Sequence, residues 1–199
     1  MLVAIALGAT LSAPALFAEP ELAAALGRMK PAPGAWVEYL IRSGGEGEAR
    51  VRVTAVDAAG EDGCWLEMAS ANGSGIAGAA RLLVRGDGRI ERMSVLLAGQ
   101  QAVEIPVDRL GPSLPSRRPA AAVQRLGTAQ VRVAAGTFAT EVSRVSGTTV
   151  WRADGVPLWG LVKARSRARS VELLAWGASG GRSVFPPGWD QGKGSESAK

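Results

Sequence analysis

From residue 35 onward the chain is written in short apolar runs with a period of two. Residues 35–42 (AWVEYLIR) are rich in β-formers. In the stretch that follows, Val51, Val53 and Ala55 point one way, while Arg50, Arg52 and Thr54 point the other. Cys64, Leu66 and Met68 alternate with Trp65 and Glu67, and further runs span residues 80–85, 90–98 and 101–107. Pro106 places the last of these near a sheet edge, because proline has no N–H to give a ladder. Residues 111–119 hold three prolines and read as a loop. The second half resumes with strands over 130–134, 138–145, 148–153, 156–164 and 171–176. Gly, Asp-Gly and Pro signals separate the runs, among them Asp62-Gly63, Gly86-Asp87-Gly88 and Asp154-Gly155.

Only residues 19–30 (EPELAAALGRMK) carry a helical pattern. They begin acidic, end with Arg28 and Lys30, and stop at Pro31 and Pro33. Nine or ten short strands behind one short N-terminal helix predict a mainly β protein. The expected form is a curved antiparallel meander closing partly into a half-barrel or open barrel.

Residues 1–18 are apolar and uncharged, and small residues at Ala13, Ala15 and Ala18 fit a cleavage rule. They predict a signal peptide, hence a periplasmic or secreted protein. Residues 19–186 would then form one β-rich domain and 187–199 a Gly/Ser/Lys-rich tail. The mature form is expected to have no membrane span.

Composition narrows the chemistry. Histidine is absent, which excludes Ser-His-Asp and Cys-His catalysis and any histidine metal ligand. One cysteine, Cys64, excludes an intrachain disulfide, and its apolar neighbours make it a core thiol. No cofactor and no catalytic residue is expected. The net charge of +5 permits contact with anionic surfaces without requiring it.

Three motifs tempt and fail. Gly73 to Gly78 fits G-x-G-x-x-G, but a polar strand precedes it and no room for a crossover helix follows. Gly177-Ala178-Ser179-Gly180-Gly181 fits a nucleophile elbow, without a histidine to serve it. Arg85-Gly86-Asp87 reads as a hairpin turn.

Two features remain. Lys163, Arg165, Arg167 and Arg169 recur at every second position, so an extended strand would project all of them from one face. If the run RSRARS is instead a hairpin tip, its charges gather at one end of the sheet. Six tryptophans stand against three phenylalanines and one tyrosine, and Trp36, Trp65, Trp151, Trp159 and Trp176 fall in expected strands.

The strings Ala135-Gly136-Thr137-Phe138, Val150-Trp151, VPLWGLVK ending at Lys163, and ELLAWG ending at Gly177 carry a resemblance over about 45 residues. The chain resembles uncharacterised bacterial exported β-proteins, which are similar to the half-barrel domains of periplasmic lipoprotein carriers. The resemblance implies a curved antiparallel sheet around an apolar cavity. The expectation is therefore an envelope protein, not an enzyme, that holds an apolar or lipid-like ligand. Trp151, Trp159 and Trp176 would meet the acyl chains. Lys163, Arg165 and Arg167 would meet an anionic head group or another anionic envelope component. The alternative is an envelope interaction module without a cavity. Nucleic acid is not an expected partner, since no aromatics interleave the basic run.

Overall fold

A computed structural model describes residues 31–44, 47–58, 62–72, 75–86, 89–106 and 122–186. The expected signal peptide, the helix at 19–30, the loop at 111–119 and the tail at 187–199 lie outside the described residues. Within them the chain forms eleven strands and no helix. The strands are β1 (Trp36–Ser43), β2 (Gly47–Asp57), β3 (Cys64–Asn72), β4 (Gly75–Val84), β5 (Ile90–Leu97), β6 (Val103–Ile105), β7 (Gln124–Val133), β8 (Gly136–Val145), β9 (Thr148–Arg152), β10 (Leu161–Arg165) and β11 (Arg169–Gly177).

All eleven belong to one curled antiparallel sheet, in the order β6-β5-β4-β3-β2-β1-β11-β10-β9-β8-β7. The sheet is not closed into a barrel. It is two meanders, β1–β6 and β7–β11, joined where the first strand pairs the last: Ile41 faces Val171 and Tyr39 faces Leu173. The single meander expected from the pattern is thus corrected. Local periodicity cannot show which non-sequential strands meet. Pro106 follows β6, which is indeed an edge strand.

Alternation decides the two faces. Val37, Tyr39, Ile41, Val51, Val53, Ala55, Cys64, Leu66 and Met68 point to one side and join Val150, Ala164, Val171 and Leu173 in the main core. Each fully buried valine or leucine there is worth roughly 1.5–3 kcal/mol against exposure. Tyr39 is fully buried and donates its hydroxyl to the Leu161 carbonyl at 3.2 Å, which ties β1 to β10 across β11. Burial pushes its phenol pKa up. Cys64 is the expected core thiol, and burial pushes its pKa up as well.

The outer face behaves differently in the two meanders. On β2–β5 it carries a cross-strand row of polar residues, Thr54, Glu67, Arg81 and Ser94, each opposite the next and each at most 5% exposed. A strap after β11 covers them. Gly181 donates its N–H to the Gly34 carbonyl at 2.8 Å. A side chain at Gly181 would meet Thr54 Cγ2 at 2.7 Å and Gly34 O at 2.8 Å, so only glycine lets the strap cross there. The Glu67 carboxylate then accepts from Ser183 Oγ at 2.6 Å and from the Val184 N–H at 2.9 Å. Phe185 packs with Ala79 and Ala102, and the Arg81 guanidinium lies 4.2 Å from the Trp65 ring centroid and 4.8 Å from that of Phe185. The G-x-S-x-G string is therefore the end of β11 and the start of this strap.

Candidate functional site

A concave feature among the described residues is a depression of about 660 Å³ between the β7–β8 arm and the segment joining β9 to β10. Sequence periodicity assigns residues 156–164 to one strand. Instead residues 153–160 form a loop, and β10 begins at Leu161. The reason is local. The Ala153 N–H donates to the Gly160 carbonyl at 2.8 Å and closes the loop at its neck. Inside it, the Val156 N–H reaches the Ala153 carbonyl at 3.2 Å, and the Gly160 N–H reaches the Pro157 carbonyl at 3.3 Å.

Loop side chains still point into the core. Val156 and Leu158 are each 3% exposed, so the alternation that suggests a strand is a pair of anchors. Leu158 sits at φ 64, a conformation that bulky residues rarely adopt and that costs about 1–3 kcal/mol. The core packing of its side chain holds it there. Gly160 has φ +72, and a Cβ on it would lie 2.8 Å from the Ala153 carbonyl oxygen.

Trp159 turns the other way, lines the depression and packs partly on the core. Its carbonyl accepts from Arg152 Nε at 2.9 Å, which fixes the guanidinium at the rim. Ala139 and Thr140 of β8 and Ala129 and Gln130 of β7 form the opposite wall. Thr140 Oγ1 donates to the Ala129 carbonyl at 2.7 Å, and the Ala135 N–H donates to the Leu173 carbonyl at 3.3 Å, so the arm is pinned to β11. Glu141 stands opposite Arg152 in register, and Asp154 completes the polar rim. The volume is that of a small-ligand pocket, and its lining mixes the Trp159 indole and small aliphatic groups with Thr128, Gln130, Thr140 and three charged side chains. No group of three or more metal-ligating side chains exists among the described residues.

The expected ligand-binding side chains are distributed as follows. Trp159 alone lines the depression. Trp151 is opposite Lys163 and Val142 on the outer face, because its neighbour Val150 points to the core. Trp176 is opposite Val37, across the sheet and 37% exposed. A bulge between Glu38 and Tyr39 shifts the register there, so Trp176 does not continue the row that contains Glu172.

Lys163 donates to Glu172 at 2.7 Å. Arg42 binds the same carboxylate at 3.4 Å and Glu48 at 2.5 Å. The basic run does not form one extended strand. Ser166 to Ala168 make the β10–β11 turn, closed by the Ser166 N–H on the Arg169 carbonyl at 2.8 Å, which leaves Arg167 at the tip. Arg165 and Arg167 are exposed and form no ion pair among the described residues.

Arg144 escapes a reading by strings, yet the register makes it a neighbour of Arg165 across Thr149. The signal is Ser146-Gly147. Both have positive φ, at 46° and 86°, and this two-residue turn sets Val145 opposite Thr148 and hence Arg144 opposite Thr149.

No known family pattern matches the chain, and no curated protein is similar enough to count as a relative. Among solved structures, the crystal structure of MucB is similar to 89% of this chain with 11% identity and a TM-score of 0.44. The chain spans 62% of the length of that one. This likeness does not single out the lipoprotein carriers.

Proposed function

We propose that the protein is a non-catalytic β-domain of the bacterial cell envelope that holds an apolar or lipid-like ligand against Trp159. The observation that carries this reading is the depression of about 660 Å³, with Trp159 on its wall and the Val156 and Leu158 anchors of the same loop held by the core. An acyl chain would lie along Trp159 and the alanines of the arm. Arg152 would meet the polar end. The signal-like residues 1–18 support the compartment, and the absence of histidine throughout the sequence removes the commonest general base.

The test is lipid extraction of protein purified from its native envelope, beside a Trp159→Ala variant. The wild type should return one class of apolar compound near one per chain, and the variant several-fold less while still unfolding cooperatively, at a midpoint lowered by the packing that Trp159 gives the core. Equal trace amounts from both would contradict the reading.

A second reading, an interaction module without a ligand, is favoured by one observation. β7 is a ten-residue edge strand whose Leu126 is 43% exposed, and such an edge can accept another chain's strand.

A further inference from the structure

We infer that the outer face of β8–β11 docks the protein on an anionic lipid bilayer through Arg144, Arg165 and Arg167, with Trp151 entering the headgroup layer. The inference shares the envelope setting of the proposed function. It does not need the depression to hold anything.

The strand register builds the surface. Arg144, Thr149, Arg165, Ser170 and Arg42 stand opposite one another on five consecutive strands, all on the face away from the core residues Val150, Ala164 and Val171. At about 4.8 Å per strand the row spans about 19 Å. The charges in it are not equivalent. Arg42 is held by Glu48 and Glu172, and Lys163 in the next row is held by Glu172. Arg144 faces Gln124 and Thr149, and Arg165 faces Thr149 and Ser170, so both exposed guanidinium groups stand opposite uncharged partners. Arg167 adds a third charge from the adjoining turn.

Beside this row, on the same face, Val142 and Trp151 stand opposite each other and remain partly exposed. A tryptophan next to unpaired arginines on an open sheet face matches the bilayer interface. There an indole sits at headgroup level and each near-surface cation gains affinity for anionic lipid. A soluble polyanion would use the arginines and leave Trp151 without a role.

The test is sedimentation of the full chain with vesicles of phosphatidylglycerol and phosphatidylcholine, against vesicles of phosphatidylcholine alone. The difference between the two vesicle types removes any uncharged contribution from residues 1–18. The Arg144→Ser/Arg165→Ser variant should lose about thirtyfold of the anionic preference, at roughly five- to sixfold per charge. A charge-matched Arg132→Ser/Arg182→Ser variant, altered on the β7–β8 arm and the strap, should stay within about threefold of wild type. The vesicle-induced blue shift of tryptophan emission should shrink in Trp151→Phe.

Equal loss in both double variants would reduce the effect to net charge and overturn the docking face. So would no anionic preference in the wild type, or capture by a soluble anionic polysaccharide without sedimentation on vesicles. An unchanged blue shift in Trp151→Phe would overturn the insertion of that side chain. Because all four arginines are exposed, the variants should fold, and an unchanged unfolding midpoint checks it.

Discussion

The outer face of the sheet carries two polar rows that obey the same alternation and meet opposite fates. On β2–β5 the row Thr54, Glu67, Arg81 and Ser94 is sealed under the strap ending at Phe185. On β8–β11 the row Arg144, Thr149, Arg165 and Ser170 remains open. A polar residue at every second position says only that it points away from the main core. What decides solvation is whether another segment returns over that face. Apolar rows give the difference away. Trp65 and Leu83 on one side of the sealed row, and Ala69, Ala79 and Leu96 on the other, offer the strap a surface to bury. Beside the open row, Val142 and Trp151 give way at once to the ion-paired Lys163 and Glu172.

The comparison can be broken most directly at Glu67. Replacing it with alanine removes both strap hydrogen bonds and leaves Arg81 buried opposite an aliphatic side chain. A loss of about 3–5 kcal/mol in denaturant unfolding is expected. Phe185→Ala should cost about 3 kcal/mol. It should also make Trp65, now 3% exposed, more accessible to acrylamide quenching. If neither variant moves the unfolding midpoint, the strap is not sealing that row.

At the depression, Gly160→Ala forces a Cβ to within 2.8 Å of the Ala153 carbonyl oxygen at a positive φ. It should cost about 2 kcal/mol and lower ligand retention together with stability. Retention unchanged at lower stability would detach the loop from the site.

The open half has a weaker, pH-dependent tie. The hydrogen bond from Lys163 holds the Glu172 carboxyl below its ordinary value of 4.5, and the charges of Lys163 and Arg42 add to this. A lowered folded-state pKa gives stability that is complete above the ordinary carboxylate range and is lost as pH falls through the folded value. The midpoint difference between wild type and Glu172→Gln should therefore be positive at neutral pH and shrink below pH 4.5. A difference that is constant across that window would mean that the carboxylate contributes nothing there. Smallest of all, Arg165→Ala should change stability by less than about 0.5 kcal/mol, since nothing in the described fold leans on it. A large effect would show that the open row is not open.

Much of the fold is legible in the chain because alternation is strong. The expected runs at 35–42, 90–98, 138–145 and 148–153 overlie β1, β5, β8 and β9 within two residues. β7 begins six residues before the expected run at 130, because Gly127, at φ 118, forms a bulge that interrupts the pattern without ending the strand. The loop at 153–160 reads as a strand because Val156 and Leu158 alternate, yet their burial comes from a closed loop.

The site was legible in fragments. Trp159 could be singled out, but its wall partners come from the β7–β8 arm, which no string links to it. Trp151, Lys163 and Arg165 share a face, and that follows from the strand pairing. Trp176 leaves them because of a one-residue bulge. Glu67 was legible as polar and illegible as buried, since the strap that covers it lies more than a hundred residues downstream.

Native mass spectrometry of the protein taken from the envelope fraction, under gentle and then denaturing conditions, tests ligand holding most directly. The account predicts a mass excess that disappears on denaturation and that is lost in Trp159→Ala. A clean apo mass under gentle conditions would contradict it and leave the open edge at β7 and the arginine face of β8–β11 as the functional surfaces.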